Sequence, residues 1–333
     1  MQVAVLGSGS WGSALAKVLS DKGHRVTLWG RRPELAAQIQ ETRENGTFLP
    51  GARFADTLAA TSDLERALKG AEMVLVAVPT HGIREVMEHA RAHMPEGVPV
   101  VSATKGIEQD SLYFVNEMLA EMVPSTRDHF VALSGPSFAK EVAAGLPTVV
   151  VAAARDLRLA RAVQQAFWTD NVFRVYLTDD VVGVEMGGAL KNVIAIAAGA
   201  SDGLGFGHNA RAALITRGLN EIARLAMKMG GDALTLAGLA GMGDLVLTCT
   251  GELSRNRYVG FELGKGRTLK DVLGGMRQVA EGVRTAKSAC DLSRREGVYM
   301  PITEQVHAVL YEGKDLRTAV YELMTREAGH ERD

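Results

Sequence analysis

The sequence predicts an α/β protein in two parts: a mostly parallel sheet covered by helices over residues 1–180, then an all-helical part over residues 181–328, ending in a polar tail at 329–333. Three observations predict it. Near the N-terminus the apolar, partly β-branched run Val3, Ala4, Val5, Leu6 breaks into Gly7-Ser8-Gly9-Ser10-Trp11-Gly12, and helix-forming residues 14–19 follow, which reads as strand, glycine turn and helix. From there to about residue 178, short β-rich runs alternate with helical segments, the signature of a parallel sheet with helices on its faces. Past residues 178–183 strand-like runs almost vanish, and the remaining segments carry apolar residues at helical spacing.

The first turn is the most specific element. Gly7 permits the tight turn, Gly9 lets the backbone approach a pyrophosphate, and Gly12 lets the helix pack closely on the strand. The free N–H groups and positive dipole end of that helix would hold the phosphates, so residues 1–180 read as a Rossmann-type dinucleotide-binding domain; the plainer alternative is an ordinary strand-to-helix turn. The second strand, residues 25–29, runs into VTLWGRR, with no acid to accept bonds from a ribose 2′-hydroxyl. Arg31 and Arg32 follow it instead, and a guanidinium fork suits a 2′-phosphate, which points to NADP unless the two arginines merely form an exposed loop. Further strands are expected at residues 73–78, 98–103, 130–133, 148–152 and 172–176. Residues 181–200 form the one long apolar stretch, and Glu185, Lys191 and several glycines within it favour a buried helix over a membrane span. Residues 210–229 and 301–311 read as amphipathic helices, with glycines acting as stops between segments.

Composition excludes more than it selects. A chain of 333 residues that is 47% hydrophobic can bury a large core and suits two domains. Its 37 basic and 39 acidic residues leave a formal net charge of -2, which argues against nucleic acid or an anionic membrane as a partner. Cys249 and Cys290 are the only cysteines, too few for a disulfide scaffold and without neighbours at metal-ligand spacing, so a reducing cytoplasm and no metal are expected. The N-terminal apolar run is too short for a signal peptide and lacks a preceding basic segment.

Two lysines stand out on physical grounds. Lys191 lies beside Asn192 in the middle of a helix apolar on nearly every face, where a cation is costly unless paired and where desolvation lowers the amine pKa toward a range useful for proton transfer. The alternative is a lysine that reaches solvent along its methylene stem. Lys105 follows a strand in SATKGIE, at the carboxyl end where open α/β sheets bind ligands, although it also suits a solvated loop. SGPSFAKEVA (residues 134–143) leaves a strand through Gly135-Pro136 and places Ser137 near a helix start, as an anion site or as a capped turn. Residues 238–260 combine a glycine turn, an isolated Asp244 and the polar group Ser254-Arg255-Asn256-Arg257, with Arg255 the phosphate candidate if the group is not simply a solvated helix end.

Taken together these motifs resemble the bacterial NAD(P)-dependent glycerol-3-phosphate dehydrogenases. The likeness runs over nearly the whole length, through GSGSWGSALA, the FLPG loop at residues 48–51, SATKGIE, SGPSFAKEVA, ALKNVIAIAAG, NARAALITRGL, GMGDLVLTC, SRNRYVG, VAEGVRTA and MPITEQV. Ser13, where Thr is usual, is a minor departure. The resemblance implies reversible reduction of dihydroxyacetone phosphate to sn-glycerol 3-phosphate with NADPH, preferred, or NADH, to supply the phospholipid backbone. It implies Lys191 as the proton-transfer residue and Lys105 as a contact to both substrate and cofactor. Gly135, Ser137, Asp244, Ser254, Arg255 and Asn256 would contact the substrate, with Arg255 also near the dinucleotide. Ser10, Trp11, Arg31, Arg32, Ala139, Val279 and Glu281 would line the cofactor site beside Gly7, Gly9 and Gly12, and Phe48, in the loop before the third strand, would close over it. Because these residues come from both parts of the chain, the site is expected in the cleft between domains.

Two rival readings stand beside this one. A β-hydroxyacid dehydrogenase or ketopantoate-type reductase shares the nucleotide domain, the helical second domain and a helix lysine, but takes a carboxylate substrate. A non-catalytic NADPH sensor needs the fingerprint and the arginines and has no use for a buried lysine. The expected partners are a small-molecule substrate, with no nucleic acid and no stable membrane insertion. The oligomeric state stays open, with a homodimer as the option carried forward.

Overall fold

The computed structural model describes residues 1–276 and 280–325. Strand β1 (Gln2–Leu6) enters α1 (Ser10–Asp21) through the glycine turn, and β2 (Arg25–Trp29) with α2 (Pro33–Thr42) repeats the unit. A small hairpin, β3 (Glu44–Asn45) and β4 (Leu49–Arg53), precedes β5 (Leu58–Thr61) and α3 (Leu64–Leu68). Then come β6 (Met73–Val76), α4 (Ile83–Ala90), β7 (Val100–Ser102), α5 (Val115–Met122), β8 (Phe130–Ser134), α6 (Ala139–Ala143), β9 (Thr148–Ala153), α7 (Leu157–Phe167) and β10 (Phe173–Thr178). The later described elements are helical: α8 (Val181–Gly203), α9 (Gly207–Lys228), α10 (Ala233–Ala237), a π-helical turn (Leu239–Gly243), α11 (Asp244–Thr250), α12 (Arg255–Gly264), α13 (Leu269–Gly274), α14 (Glu281–Glu296), α15 (Pro301–Tyr311) and α16 (Leu316–Met324).

The large sheet has the order β10-β9-β8-β7-β6-β1-β2-β5 and is parallel except where β8 meets β9. Leu6 lies level with Trp29 and Val76, Val76 with Ser102, and Ser102 with Ala132. The carboxyl ends of these central strands therefore finish nearly in a row, and the turns that follow them line one crevice at the point where strand order reverses about β1. The central strands lack alternation because both faces are covered. Val3, Val5, Leu75 and Val101 pack with Leu15, Leu19 and Val163 on one face, and Ala4, Leu6, Val74 and Val76 pack with Ile83, Met87 and Met118 on the other.

Helix α8 joins the two parts. Val181 and Val184 belong to the sheet-face core, whereas Leu190, Val193 and Ile194 pack with Leu225, Leu245, Val259 and Leu292 in the helical core. By length and composition α8 could cross a membrane, but 89% of its most apolar window is buried inside the protein. Close approach of α12 depends on absent side chains: a Cβ at Gly260 would strike the Ile196 carbonyl, and one at Gly199 the Arg257 carbonyl.

The structure corrects several boundaries. The FLPG segment is largely strand β4, and Phe48 lies in a loop as expected, the turn of the β3–β4 hairpin. The strand expected at 98–103 shortens to Val100–Ser102, with Pro99, which has no N–H to donate, just outside it. The strand expected at 172–176 runs from Phe173 to Thr178, paired along β9. The expected helix at 210–229 is Gly207–Lys228. The expected tail, 329–333, lies outside the described residues.

Candidate active site

Lys191 is 7% exposed in the middle of α8, so its stem does not reach solvent. The turn Leu239–Gly243 leads into α11, which places Asp244 and Thr248 four residues apart on the face toward α8. Gly187 lets that turn come close, since a Cβ there would lie 2.5 Å from the Ala240 carbonyl oxygen. The Lys191 ammonium donates to Asp244 Oδ1 and, at 2.9 Å, to Thr248 Oγ1, which itself donates to the Asp244 carbonyl at 2.6 Å. Lys105, in the turn after β7, donates to Asp244 Oδ2 at 2.7 Å and to the Gly135 carbonyl at 3.2 Å. Asp244 is 1% exposed and thus lies between two ammonium groups, one from each part of the chain. An ammonium has three donors, and each lysine spends two on these partners, leaving one to direct at a ligand. Burial pushes the Lys191 pKa down to about 7; Asp244 opposes that shift and Lys105 adds to it.

Beside this centre lies a second polar group. Ser254 caps α12 by accepting from the Arg257 amide at 3.2 Å, and Asn256 donates to Asn192 Oδ1 at 2.8 Å while accepting from the Gly282 amide at 2.9 Å. Helices α8, α12 and α14 are thereby joined next to Lys191. Arg255 stays accessible to solvent, but crowding by the surrounding protein lowers its guanidinium pKa, against the pull of Glu281. Glu281, at the start of α14, accepts from Thr80 Oγ1 at 3.4 Å, and burial raises its carboxyl to about 7. Ser137 turns its hydroxyl back to the Gly135 carbonyl at 2.8 Å, one residue ahead of the Phe138 cap of α6. Gly135 has φ +141° and lies so close to β9 that a Cβ would come within 2.9 Å of Val150 Cα.

The glycine turn fits a dinucleotide pyrophosphate. A Cβ at Gly7 would lie 2.6 Å from the Ala77 carbonyl oxygen and one at Gly12 would collide with the Gly7 carbonyl, whereas Gly9 faces open space with nothing within 4 Å of its Cβ position. Gly9 caps α1 without a side-chain bond, which leaves the first amides of the helix facing that space. Ser10 donates to the Phe48 carbonyl at 2.6 Å, and Asn45, fully buried, donates to the Ser8 carbonyl at 2.8 Å, so the hairpin is tied to the turn. Arg32 lies over the Phe48 ring at 5.1 Å, and Arg31 pairs with Glu85 at 3.4 Å. Trp11 and Ala139 are partly buried against the core of the sheet face that carries α1.

The structure brings Lys105, Gly135, Asp244 and Lys191 into one hydrogen-bonded group and sets Asn256, Arg255 and Glu281 around it. Asp244 is not isolated, Arg257 is turned away to pair with Asp202 at 2.6 Å, and Arg31 already has an acidic partner. Val279 lies outside the described residues. Thr248, Asn192, Thr80 and Asn45 carry contacts that the sequence reading did not assign. The spacing of Thr248 four residues after Asp244 was the available signal for the first of these.

Family models described as the N-terminus and C-terminus of NAD-dependent glycerol-3-phosphate dehydrogenase match residues 2–160 and 180–321. The chain is 56% identical over 326 residues to a glycerol-3-phosphate dehydrogenase [NAD(P)+] of Geobacter sp. (strain M21), covering 98% of this chain and 97% of that one. It is similarly 54% identical to the protein of that name from Myxococcus xanthus, covering 98% of each. Among solved structures, the glycerol-3-phosphate dehydrogenase of Coxiella burnetii superposes with a TM-score of 0.91 at 41% identity, covering 98% of this chain and 99% of that one. A ketopantoate reductase from Ralstonia eutropha superposes with a TM-score of 0.58 at 17% identity, a likeness of fold alone.

Proposed function

This chain belongs to the NAD-dependent glycerol-3-phosphate dehydrogenase family, and from that membership we infer that its cleft reduces dihydroxyacetone phosphate to sn-glycerol 3-phosphate, reversibly, with NADPH or NADH. The observation that carries the site assignment is the pair of lysines sharing buried Asp244, each with one donor left, next to the helix that bears Arg255.

When bound along the glycine turn, the dinucleotide supplies the hydride in reduction and takes it back in oxidation. The chain's own residues manage the proton and the phosphate. In reduction the Lys191 ammonium gives a proton to the carbonyl oxygen as it becomes a hydroxyl, and in oxidation the neutral amine removes it. A pKa of about 7 serves both directions near neutral pH. Asp244 and Thr248 fix the Lys191 amine, and Lys105 directs its remaining donor to the substrate from the other side. Arg255, with Ser254, Asn256, Gly135 and Ser137, receives the phosphate end. Arg31 and Arg32 favour NADPH, and Gly7, Gly9, Ser10, Trp11, Gly12, Phe48, Ala139, Val279 and Glu281 complete the dinucleotide side.

We place the domain division at residue 180, between β10 and α8, and the enzyme in the cytoplasm, unattached to membrane. Its product feeds glycerophospholipid synthesis. A homodimer is carried as the assembly, to be read by sedimentation.

Purified protein should consume NADPH on addition of dihydroxyacetone phosphate, and dihydroxyacetone should be a poor substrate. Arg255→Ala should lower kcat/KM for the phosphate ester by about 10-fold to 100-fold, the size of one or two lost charge-assisted bonds, and should hardly change that for dihydroxyacetone. Equal losses for both would remove Arg255 from phosphate binding, and a preference for phosphate-free hydroxy acids would favour the ketopantoate-type reading.

A further inference from the structure

Beneath Lys105 lies a cavity of about 10 Å³ whose lining includes Ser102, Thr104, Lys105, Ser134, Glu185 and Gly188. That is the size of one water. Ser134 is 4% exposed and its hydroxyl meets no protein partner, a state that is costly unless a water completes it. Gly188 presents no side chain here: a Cβ would lie 2.8 Å from Ser134 Oγ and 3.4 Å from Lys105 Cγ, so the lysine stem rests directly on α8. Glu185, one turn earlier on α8, accepts from the Asn116 amide at 3.1 Å, at the start of α5. Part of the residue remains accessible, but protein crowds its carboxyl. Burial raises it to about 8, Glu117 of α5 adds to the shift, and the Asn116 and Val115 amides oppose it. Among the described residues, Glu117 from α5 is the charged group that acts on it, and Lys105, from the turn after β7, lines the same cavity while its ammonium is held by Asp244.

Two acids could therefore claim Lys105: Asp244, which holds its ammonium, and Glu185, which lines the cavity under its stem. We propose that Glu185 is a positioning residue for Lys105, completing with Ser134 the site of one buried water when neutral and competing with Asp244 for the ammonium when ionised. The proposal rests on Lys105 being a substrate ligand. A neutral Glu185 leaves Lys105 committed to Asp244 and the substrate, while an ionised one withdraws it, so substrate capture is lost as Glu185 gives up its proton.

The test is the pH dependence of kcat/KM for dihydroxyacetone phosphate at saturating NADPH, which reports ionisations of the enzyme before substrate binds. The native enzyme should lose rate on the alkaline side through two ionisations, those of Lys191 and Glu185. Glu185→Gln, neutral at every pH, should keep near-native kcat/KM at neutral pH and lose rate through only one, with the NADPH dissociation constant unchanged. A Glu185→Gln profile that superimposes on the native one, or that falls equally at every pH, overturns the proposal. If that variant does not fold, Ser134→Ala is the smaller change. It should lower kcat/KM for the substrate several-fold with NADPH binding unchanged, and an unaltered kcat/KM overturns the proposal equally. Failure of the Lys191 reading would look different, because it removes the ionisation common to both profiles and leaves the difference between them.

Discussion

Arg31 and Arg32 differ in how far each is already committed. Arg31 pairs with Glu85 at 3.4 Å, but both side chains are more than half exposed, and such a pair is worth at most about 1 kcal/mol. A 2′-phosphate can displace Glu85. Arg32, stacked over Phe48, has its guanidinium edge free to join it. Replacing both by Ala should raise the Michaelis constant for NADPH far more than that for NADH in steady-state assays, and equal increases would take the arginines out of cofactor selection. Residues of this kind are legible in sequence because their position after β2 is local information. The same holds for Lys191, since a lone cation in an apolar helix demands a partner. The identity of that partner was not legible, because Asp244 and Thr248 lie 53 and 57 positions away and reach Lys191 only through packing.

Helices α8 and α12 show what an element contributes to the site. Their backbones touch through Gly199 and Gly260, and this close approach sets Asn256 against Asn192 and Arg255 beside Glu281. Gly260→Ala should therefore cost about 1 to 3 kcal/mol, as expected when an extra methyl is forced into a packed contact. Differential scanning calorimetry should show the lower Tm, and an unchanged Tm would mean the helices can separate freely. Helices α9 and α15 were readable from apolar periodicity, and the central strands from short β-rich runs without alternation. The β3–β4 hairpin was not, because two-residue β3 carries no periodic signal and is held by buried Asn45 rather than by strand propensity.

Over the whole molecule, buried carboxyls link stability to pH. Glu221 is 2% exposed and accepts from the Ile302 and Thr303 amides at the start of α15, and burial raises its carboxyl to about 7. The folded chain thus keeps a proton there that the unfolded chain has already released, so stability falls as pH rises from about 4.3, the ordinary value for Glu, toward 7, and levels off above it. Lys191 acts oppositely at higher pH. Its proton leaves the folded state near 7 but the unfolded state only near about 10.4, so stability recovers across that range. Denaturant unfolding of Glu221→Gln should show a shallower fall between pH 5 and 7 than the native protein, and an identical slope would assign the fall to other groups. In the proposed reaction the two parts of the chain meet, the sheet part offering the dinucleotide site and the helical part the proton. Lys191→Met tests that division most directly, because it keeps an unbranched side chain and deletes only the titrating amine. Single-turnover rates should fall by about 10² to 10⁴, the usual worth of general acid–base catalysis, while the measured dissociation constant for NADPH stays near the native value. A Lys191→Met enzyme that binds NADPH normally and turns over within about threefold of the native rate would contradict the account, given the expected size of that effect.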